Sequence, residues 1–213
     1  MKKICIPKYS IIEERINFIS HGIGAILSVI ALIIMLFFSK NVLEIICSSI
    51  FGGTLILLYT VSTLYHAFSP RQKAKAYLRV VDHCMVFLLV LGTYTPLALL
   101  AIGGKLGYII LFFVFCIVSI GMICNIKNLE KYQLVSVLCH LTVGWSSLLL
   151  MRKLLPHMHQ IGIAYLILGG CMYTIGAVLY RIGRYKKYMH SIFHFFCLAG
   201  SIVHFLMIVK FVL

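Results

Sequence analysis

The sequence predicts an all-α integral membrane protein, a bundle of seven transmembrane helices. Of its 213 residues, 62% are hydrophobic and only 11% are charged. Soluble domains are about half apolar and a quarter charged, so a water-soluble globular domain is excluded. Seven separate apolar runs are long enough to cross a bilayer, because a helix needs ~20 mostly apolar residues to span the hydrocarbon core. These runs and the composition together predict the fold class.

The seven predicted spans follow one another with short connections. Proline falls inside a span only at Pro96, where the missing backbone N–H should kink the third helix. Neither an internal repeat nor a low-complexity linker interrupts the series, so we expect residues 1–213 to form a single domain. The spans are predicted at about 19–38, 45–66, 80–102, 106–124, 132–151, 161–180 and 189–212.

The basic residues predict how the bundle is oriented. The chain has 19 Lys and Arg against 5 Asp and Glu, a formal net charge of +14, which on a soluble protein would suggest nucleic-acid binding. Here the basic residues lie between the apolar runs, with 14 on the side of the N-terminus and 5 on the other. Positively charged loops stay in the cytoplasm, so we expect a cell-membrane protein with a cytoplasmic N-terminus and an external C-terminus. Topology explains the charge, and no nucleic-acid partner is expected.

The eight cysteines do not predict a metal cluster. None forms a C-x-x-C pair, and most lie within the apolar runs. Cysteine in such a setting behaves as a small hydrophobic residue. The cysteines are therefore expected to pack as small apolar side chains rather than to bind a metal.

Ionisable side chains are costly inside a membrane, so each one within a span is a functional candidate. With the orientation derived above, three spans that are far apart in sequence bring such residues to the cytoplasmic face at similar depth. They are Ser62 and His66 from the second span, Asp82 and His83 from the third, and His190 and His194 from the seventh.

This convergence favours a zinc site. His190 and His194 stand four residues apart, so they project from one side of a helix and suit two ligands of one tetrahedral ion. With His66 they make three neutral imidazoles, which together with a water form an open, catalytic type of zinc site. Asp82 could then orient that water or accept its proton.

Each signal also has a simpler interpretation. Among nine histidines in 213 residues, one pair at this spacing arises readily by chance. Asp82 is also placed to complement the dipole of its helix and to pair with Arg79. His66 alone is consistent with an interfacial histidine that bonds a backbone carbonyl. The shared depth of these residues favours the metal site.

Other polar residues are assigned around this site. Glu14, Asn17 and His21 follow one stripe into the first span, and form either a polar interfacial turn or a shell that supports the ligands. His83 is predicted to support the site in the same way. His140 and His204, inside the fifth and seventh spans, are interpreted as hydrogen-bonded core residues.

Several motifs resemble one known family over essentially the whole chain. The pattern is similar to that of the bacterial hemolysin III proteins, which belong with the progestin and adipoQ receptor (PAQR) family and, more widely, with the alkaline ceramidases. The motifs are Glu14-x-x-Asn17-x-x-x-His21, Ser62-x-x-x-His66, Asp82-His83 followed by Gly92-Thr93-Tyr94-Thr95-Pro96, Gly169-Gly170-x-x-Tyr173-x-x-Gly176, and His190-x-x-x-His194. The resemblance implies a seven-span fold with a cytoplasmic N-terminus. It also implies that the three histidines His66, His190 and His194 bind zinc, with Asp82 reaching the metal through a water and Ser62 nearby.

Three functions are compatible with these features. The leading hypothesis is a zinc-dependent hydrolase of lipid amide or ester bonds, in which Asp82 is the general base and zinc or Ser62 stabilises the oxyanion. The alternative is a receptor or transducer that senses a lipid and holds a structural zinc. A pore-forming cytolysin is favoured least, because a pore needs polar lining along its length and the polar groups crowd one end of the spans. A membrane lipid is the expected substrate or ligand.

Overall fold

A computed structural model describes residues 6–7, 9–156 and 158–213. Within these ranges the chain is helical without any strand, and seven helical segments are long and apolar enough to cross a membrane, which confirms the predicted fold class. The elements are α1 (Ile11–Phe38), α2 (Val42–Ala67), α3 (Lys73–Pro96), a π-helix (Leu97–Ile102), α4 (Gly104–Asn128), α5 (Gln133–Ser146), the short α6 (Met151–Leu154), α7 (Gln160–Ile182) and α8 (Met189–Phe211).

The first helix begins well before its predicted start at about residue 19. Ser10 caps it: the Ser10 hydroxyl accepts the Glu13 N–H at 3.2 Å, and the Glu13 carboxylate accepts the Ser10 N–H at 2.9 Å. This reciprocal capping box satisfies backbone groups at the helix start. The apolar run marks only the later part of α1, so the helix also carries Glu13, Glu14 and Asn17, which precede the predicted span.

Pro96 changes the helical geometry of the third span. Regular α-helix ends at Pro96, and a π-helix continues to Ile102 before the chain turns at Gly103, whose φ is +69°. Proline lacks the N–H that an α-helix needs at this position, and a π-helical turn accommodates the interrupted bonding. The next helix packs closely here, because a Cβ at Gly107 would overlap the Ala98 carbonyl oxygen.

The spans pack as a closed series. Along the chain, α1 packs on α2, α2 on α3, α3 on α4, α4 on α5, α5 on α7 and α7 on α8, and α8 returns to α1. One end of the bundle therefore contains the starts of α1, α3, α5 and α8 and the ends of α2, α4 and α7. We call it the site end. That the site end faces the cytoplasm stays a prediction. Three of the basic residues on which it was based lie outside the described residues: Lys2, Lys3 and Lys8.

Two buried clusters hold the helices together. The larger one joins α1, α2 and α8 through residues such as Met35, Phe51 and Met207, and the smaller one joins α3, α4 and α5 around Phe87 and Val118. Many large apolar side chains on the outer surface are exposed. Such a surface is favourable only in an apolar solvent, so the spans imply a bilayer environment.

Candidate metal centre

Three buried histidines meet at the site end of the bundle. His66 lies at the end of α2, and His190 and His194 lie in the first turns of α8. One ligand nitrogen from each histidine lies within 4.8 Å of the other two. The Nε2 atoms of His190 and His194 are 3.2 Å apart. The structure thus brings together the three residues that were predicted as ligands.

The donor set fits a single metal ion. In a tetrahedral site with Zn–N bonds of 2.0–2.1 Å, ligand nitrogens stand about 3.3–3.4 Å apart, close to the separation of the His190 and His194 Nε2 atoms. Among the described residues, Nε2 of His66 has no hydrogen-bond partner although it is buried. A buried polar atom without a partner is costly, and a cation would satisfy this one. Imidazole donors suit zinc, copper, iron or nickel.

His66 is held by Glu14, which is held in turn by the buried Lys75. Nδ1 of His66 lies 2.7 Å from Oε2 of Glu14, so the carboxylate accepts the Nδ1–H and leaves Nε2 as a free donor atom. The other Glu14 oxygen accepts from Lys75 Nζ at 2.7 Å, and Lys75 also donates to the Phe68 carbonyl at 2.8 Å. Asn17 Nδ2 lies 3.5 Å from His66 Nδ1. Glu14 and Asn17 therefore lie beside a candidate ligand, and the chain of contacts joins α1, α2 and α3.

His21 contacts the site through ring faces. Its ring stacks on His194, with 3.7 Å between centroids and 22° between planes. The Tyr59 ring meets His21 edge-on at 5.0 Å, and the Tyr59 hydroxyl donates to Ser201 Oγ at 2.7 Å. Both ring nitrogens of His21 are buried, without a hydrogen-bond partner in the described part of the chain. The stack restrains the orientation of the His194 ring.

Asp82 and Ser62 lie beside the histidine cluster. Asp82 and His190 line the same cavity, and the buried Ser62 hydroxyl lies beside the Asp82 carboxylate. Asp82 is not one of the three residues whose ligand atoms converge. The structure therefore places a carboxylate in the lining of the cavity that also contains His190.

His83 belongs to a neighbouring network. Its Nδ1 bonds the Arg79 carbonyl and its Nε2 bonds the Tyr180 hydroxyl, both at 2.8 Å. Gln133 Nε2 donates to the same hydroxyl at 2.8 Å, and Asn125 Nδ2 donates to the His83 carbonyl at 3.3 Å. This network ties α3 to α4, α5 and α7. His83 approaches Asp82, with 3.7 Å between its Nδ1 and Asp82 Oδ2.

A cavity of about 180 Å³ extends from the candidate site between α3, α5, α7 and α8. Asp82 and His190 line its end near the site, and its lining is mostly apolar. His140 and His204 also line it. His140 bonds the Ser136 carbonyl at 2.7 Å and His204 bonds the Leu166 carbonyl at 3.3 Å, which confirms their interpretation as hydrogen-bonded residues.

Two residues at the site were missed by the sequence reasoning. The Tyr9 ring stacks on His190, with 4.7 Å between centroids and 18° between planes. The Glu13 carboxylate accepts the Tyr188 N–H at 2.7 Å, just before α8 begins. Burial raises the pKa of the Tyr9 phenol well above its ordinary value, so the phenol stays neutral. The capping box Ser10-x-x-Glu13 was the readable signal that α1 begins here.

Comparison with known proteins places the chain in a family. A family model described as "Haemolysin-III related" matches residues 9–205. The chain belongs to this family. It is 34% identical to the Hemolysin-3 homolog of Bacillus subtilis over 196 residues, which cover 91% of each chain. It is 32% identical to Hemolysin-3 of Bacillus cereus over 204 residues, 94% of this chain and 92% of that one.

A human protein is also similar to this haemolysin III-related chain. The Monocyte to macrophage differentiation factor of Homo sapiens is 26% identical over 206 residues, 93% of this chain and 84% of that protein. The predicted resemblance is thereby confirmed. The segment matched by the haemolysin III-related family model includes the three histidines, Asp82 and Tyr9.

Proposed function

We propose that the chain is a zinc-dependent membrane hydrolase that cleaves amide or ester bonds of a membrane lipid. The observation that carries the proposal is the cluster of three buried imidazoles, whose ligand atoms lie within 4.8 Å of one another beside a cavity lined by Asp82. His66, His190 and His194 would hold the metal. When bound, zinc would supply Lewis acidity and bring the pKa of a bound water towards ~7.

The residues around the cluster have distinct tasks. Glu14 keeps His66 in the tautomer that leaves Nε2 free, and the ring of His21 restrains His194. Asp82 is the general base that takes a proton from the attacking water and returns it to the leaving group. The Ser62 hydroxyl, beside Asp82, donates a hydrogen bond to the oxygen on which negative charge develops.

The cavity supports a lipid as the substrate. Its lining is mostly apolar, and Asp82 and His190 are among the polar residues that line it, at the end next to the histidines. An acyl chain would therefore bury apolar surface in the cavity while its amide or ester group reaches the site end. The substrate would enter from the surrounding bilayer between helices.

The proposal includes a cytoplasmic location for the site end. Most Lys and Arg residues of the described chain lie at this end, among them Arg71, Lys127 and Arg184, whereas the opposite end has fewer, including Lys40 and Arg152. Cytoplasmic loops carry the excess of basic residues in membrane proteins. Four of the five acidic residues also lie at the site end, and three of them (Glu13, Glu14 and Glu130) contact residues distant in sequence there.

The first experiment measures metal content and lipid turnover in the same samples. Wild-type protein purified in lipid nanodiscs should contain zinc, and His190→Ala should lose it. Mass spectrometry of supplied amide- and ester-linked lipids should show cleavage by the wild type. Asp82→Asn should retain zinc and lose this cleavage. Glu44→Gln, at the opposite end of the bundle, is the matched control and should retain both.

Two outcomes would contradict the proposal in different ways. Wild type with no zinc, copper or iron above background would exclude the metal site. Bound zinc with an unchanged lipid profile would exclude hydrolysis and favour the second candidate, a lipid sensor whose metal is structural. The position of the ligands on α2 and α8 supports that candidate, because a metal there would fix the packing of two helices.

A further inference from the structure

The chain that enters α1 lies across the histidine cluster. Tyr9 precedes the helix, and its ring stacks on His190 and approaches His66, with 6.0 Å between the centroids of the Tyr9 and His66 rings. Stacking of this kind covers one face of the His190 imidazole and restricts its rotation. Tyr9 therefore stacks on one candidate ligand and lies near a second.

A hydrogen bond fastens the same segment to the helix that carries two of the ligands. Glu13 Oε1 accepts the Tyr188 N–H at 2.7 Å, while Glu13 Oε2 accepts from the Ser10 N–H and hydroxyl at 2.9 and 2.8 Å. Tyr188 has a φ of +64°, in the left-handed region, and in the described chain no other residue except glycine has a positive φ. A bulky residue adopts this conformation at a cost, which the bond to Glu13 helps to offset.

The two sides of the cluster differ in polarity. Towards the bundle interior the neighbouring cavity is mostly apolar, and a hydrated cation would lose its water there at high cost. Towards α1, by contrast, the carboxylate of Glu14 lies beside His66. A cation that leaves on the side of His190 that Tyr9 covers would have to pass the Tyr9 ring.

We propose that Tyr9 and Glu13 form a strap that positions His190 and slows the exchange of the bound metal. The strap is the segment Tyr9–Glu13. Its tyrosine covers the ligand, and its glutamate fastens the segment to the start of α8. The inference rests on the proposed metal site. It assigns both residues as positioning residues, because neither lies among the ligand atoms that converge.

The rate of metal release tests the role of Tyr9. Zinc-loaded protein in detergent micelles is mixed with an excess of a chromogenic chelator, and the first-order release of zinc is followed. Tyr9→Ala should release zinc about tenfold faster than wild type, since one aromatic stack is worth up to about that factor. Tyr9→Phe keeps the stack and should match wild type. Tyr185→Ala removes a tyrosine that is 80% exposed at the same end and should also match.

Amide hydrogen exchange tests the role of Glu13 without any metal. In Glu13→Gln, the amides at the start of α8 should exchange faster than in wild type, and zinc release should also be faster. The matched control is Glu44→Gln. Glu44 lies in the first turn of α2, at the opposite end of the bundle, and makes similar capping contacts. It accepts from the Lys40 N–H at 2.6 Å and from the Asn41 side chain at 2.8 Å.

The outcomes separate this inference from the proposed function. Zinc-bound wild type with equal release rates for Tyr9→Ala and Tyr185→Ala would overturn the strap and leave the metal site standing. Unchanged hydrogen exchange in Glu13→Gln would overturn the fastening role of Glu13. A wild type that binds no metal would refute the metal site itself, and with it the role in metal exchange.

Discussion

Two groups of histidines with buried ring nitrogens differ in how those nitrogens are used. His140 and His204, along the cavity, each bond a backbone carbonyl, at 2.7 and 3.3 Å. The second ring nitrogen of each is buried and has no hydrogen-bond partner in the described part of the chain, and it belongs to no cluster of ligand atoms found there. At the site end, by contrast, the donor atoms of His66, His190 and His194 face one another. Burial is common to both groups, so burial alone does not identify a metal site. Convergence of the nitrogens is what makes the second group a candidate metal site.

The difference has a physical basis. Nitrogens that meet at one point repel each other through their lone pairs unless a proton or a cation lies between them, whereas a nitrogen bonded to a carbonyl is already satisfied. Because the Glu14 carboxylate accepts the Nδ1–H of His66, the free lone pair of the His66 ring is on Nε2, on the side of the ring away from Glu14. The following predictions test this contrast, beginning with the largest expected effect.

The largest effect should come from removing a ligand. His194→Ala should reduce the zinc content of the purified protein to background, because two imidazoles alone bind the ion weakly. His204→Ala removes a buried histidine of the same helix outside the cluster and should retain wild-type zinc content. Elemental analysis by mass spectrometry measures both. Equal zinc loss in the two variants would remove the distinction between the two groups of histidines.

A smaller effect is expected from the residue that supports His66. Glu14→Gln should weaken zinc binding by about 10–100-fold, because the partner of a ligand histidine orients its ring and raises its basicity. Competition titration with a zinc chelator measures the dissociation constant. Glu44→Gln serves as the control, since Glu44 contacts Lys40 and Asn41 at the opposite end. An unchanged affinity in Glu14→Gln would show that the His66–Glu14 contact is only structural.

The smallest effect on metal binding should come from disturbing a cavity histidine. A Cβ at Gly169 would overlap the His204 ring, so Gly169→Ala should displace this ring and destabilise the protein by ~1–3 kcal/mol. Zinc content should not change. Gly53→Ala is the control, because a Cβ at Gly53 meets no atom within 4 Å. Thermal unfolding in detergent measures stability, and zinc loss in Gly169→Ala would link the two regions.

Local signals in the sequence predicted the spans well and their ends less well. Apolar runs marked all seven membrane-length helices, since hydropathy depends only on neighbouring residues. The start of α1 was placed too late because a capping box, rather than hydropathy, begins that helix at Ile11. At Pro96 a kink was predicted, and the structure has a π-helix over Leu97–Ile102.

The sequence by itself determined the membrane fold, the family motifs and the choice of His66, His190, His194 and Asp82 as candidates, because composition and spacing are visible along one chain. Only the tertiary structure decided which groups meet. The Glu14–His66 and Glu13–Tyr188 contacts join residues 52 and 175 positions apart. Such contacts depend on how the helices pack. A glutamate at the start of a helix has the same sequence context whether its side chain faces solvent or bonds a ligand histidine, so the sequence alone cannot distinguish the two cases.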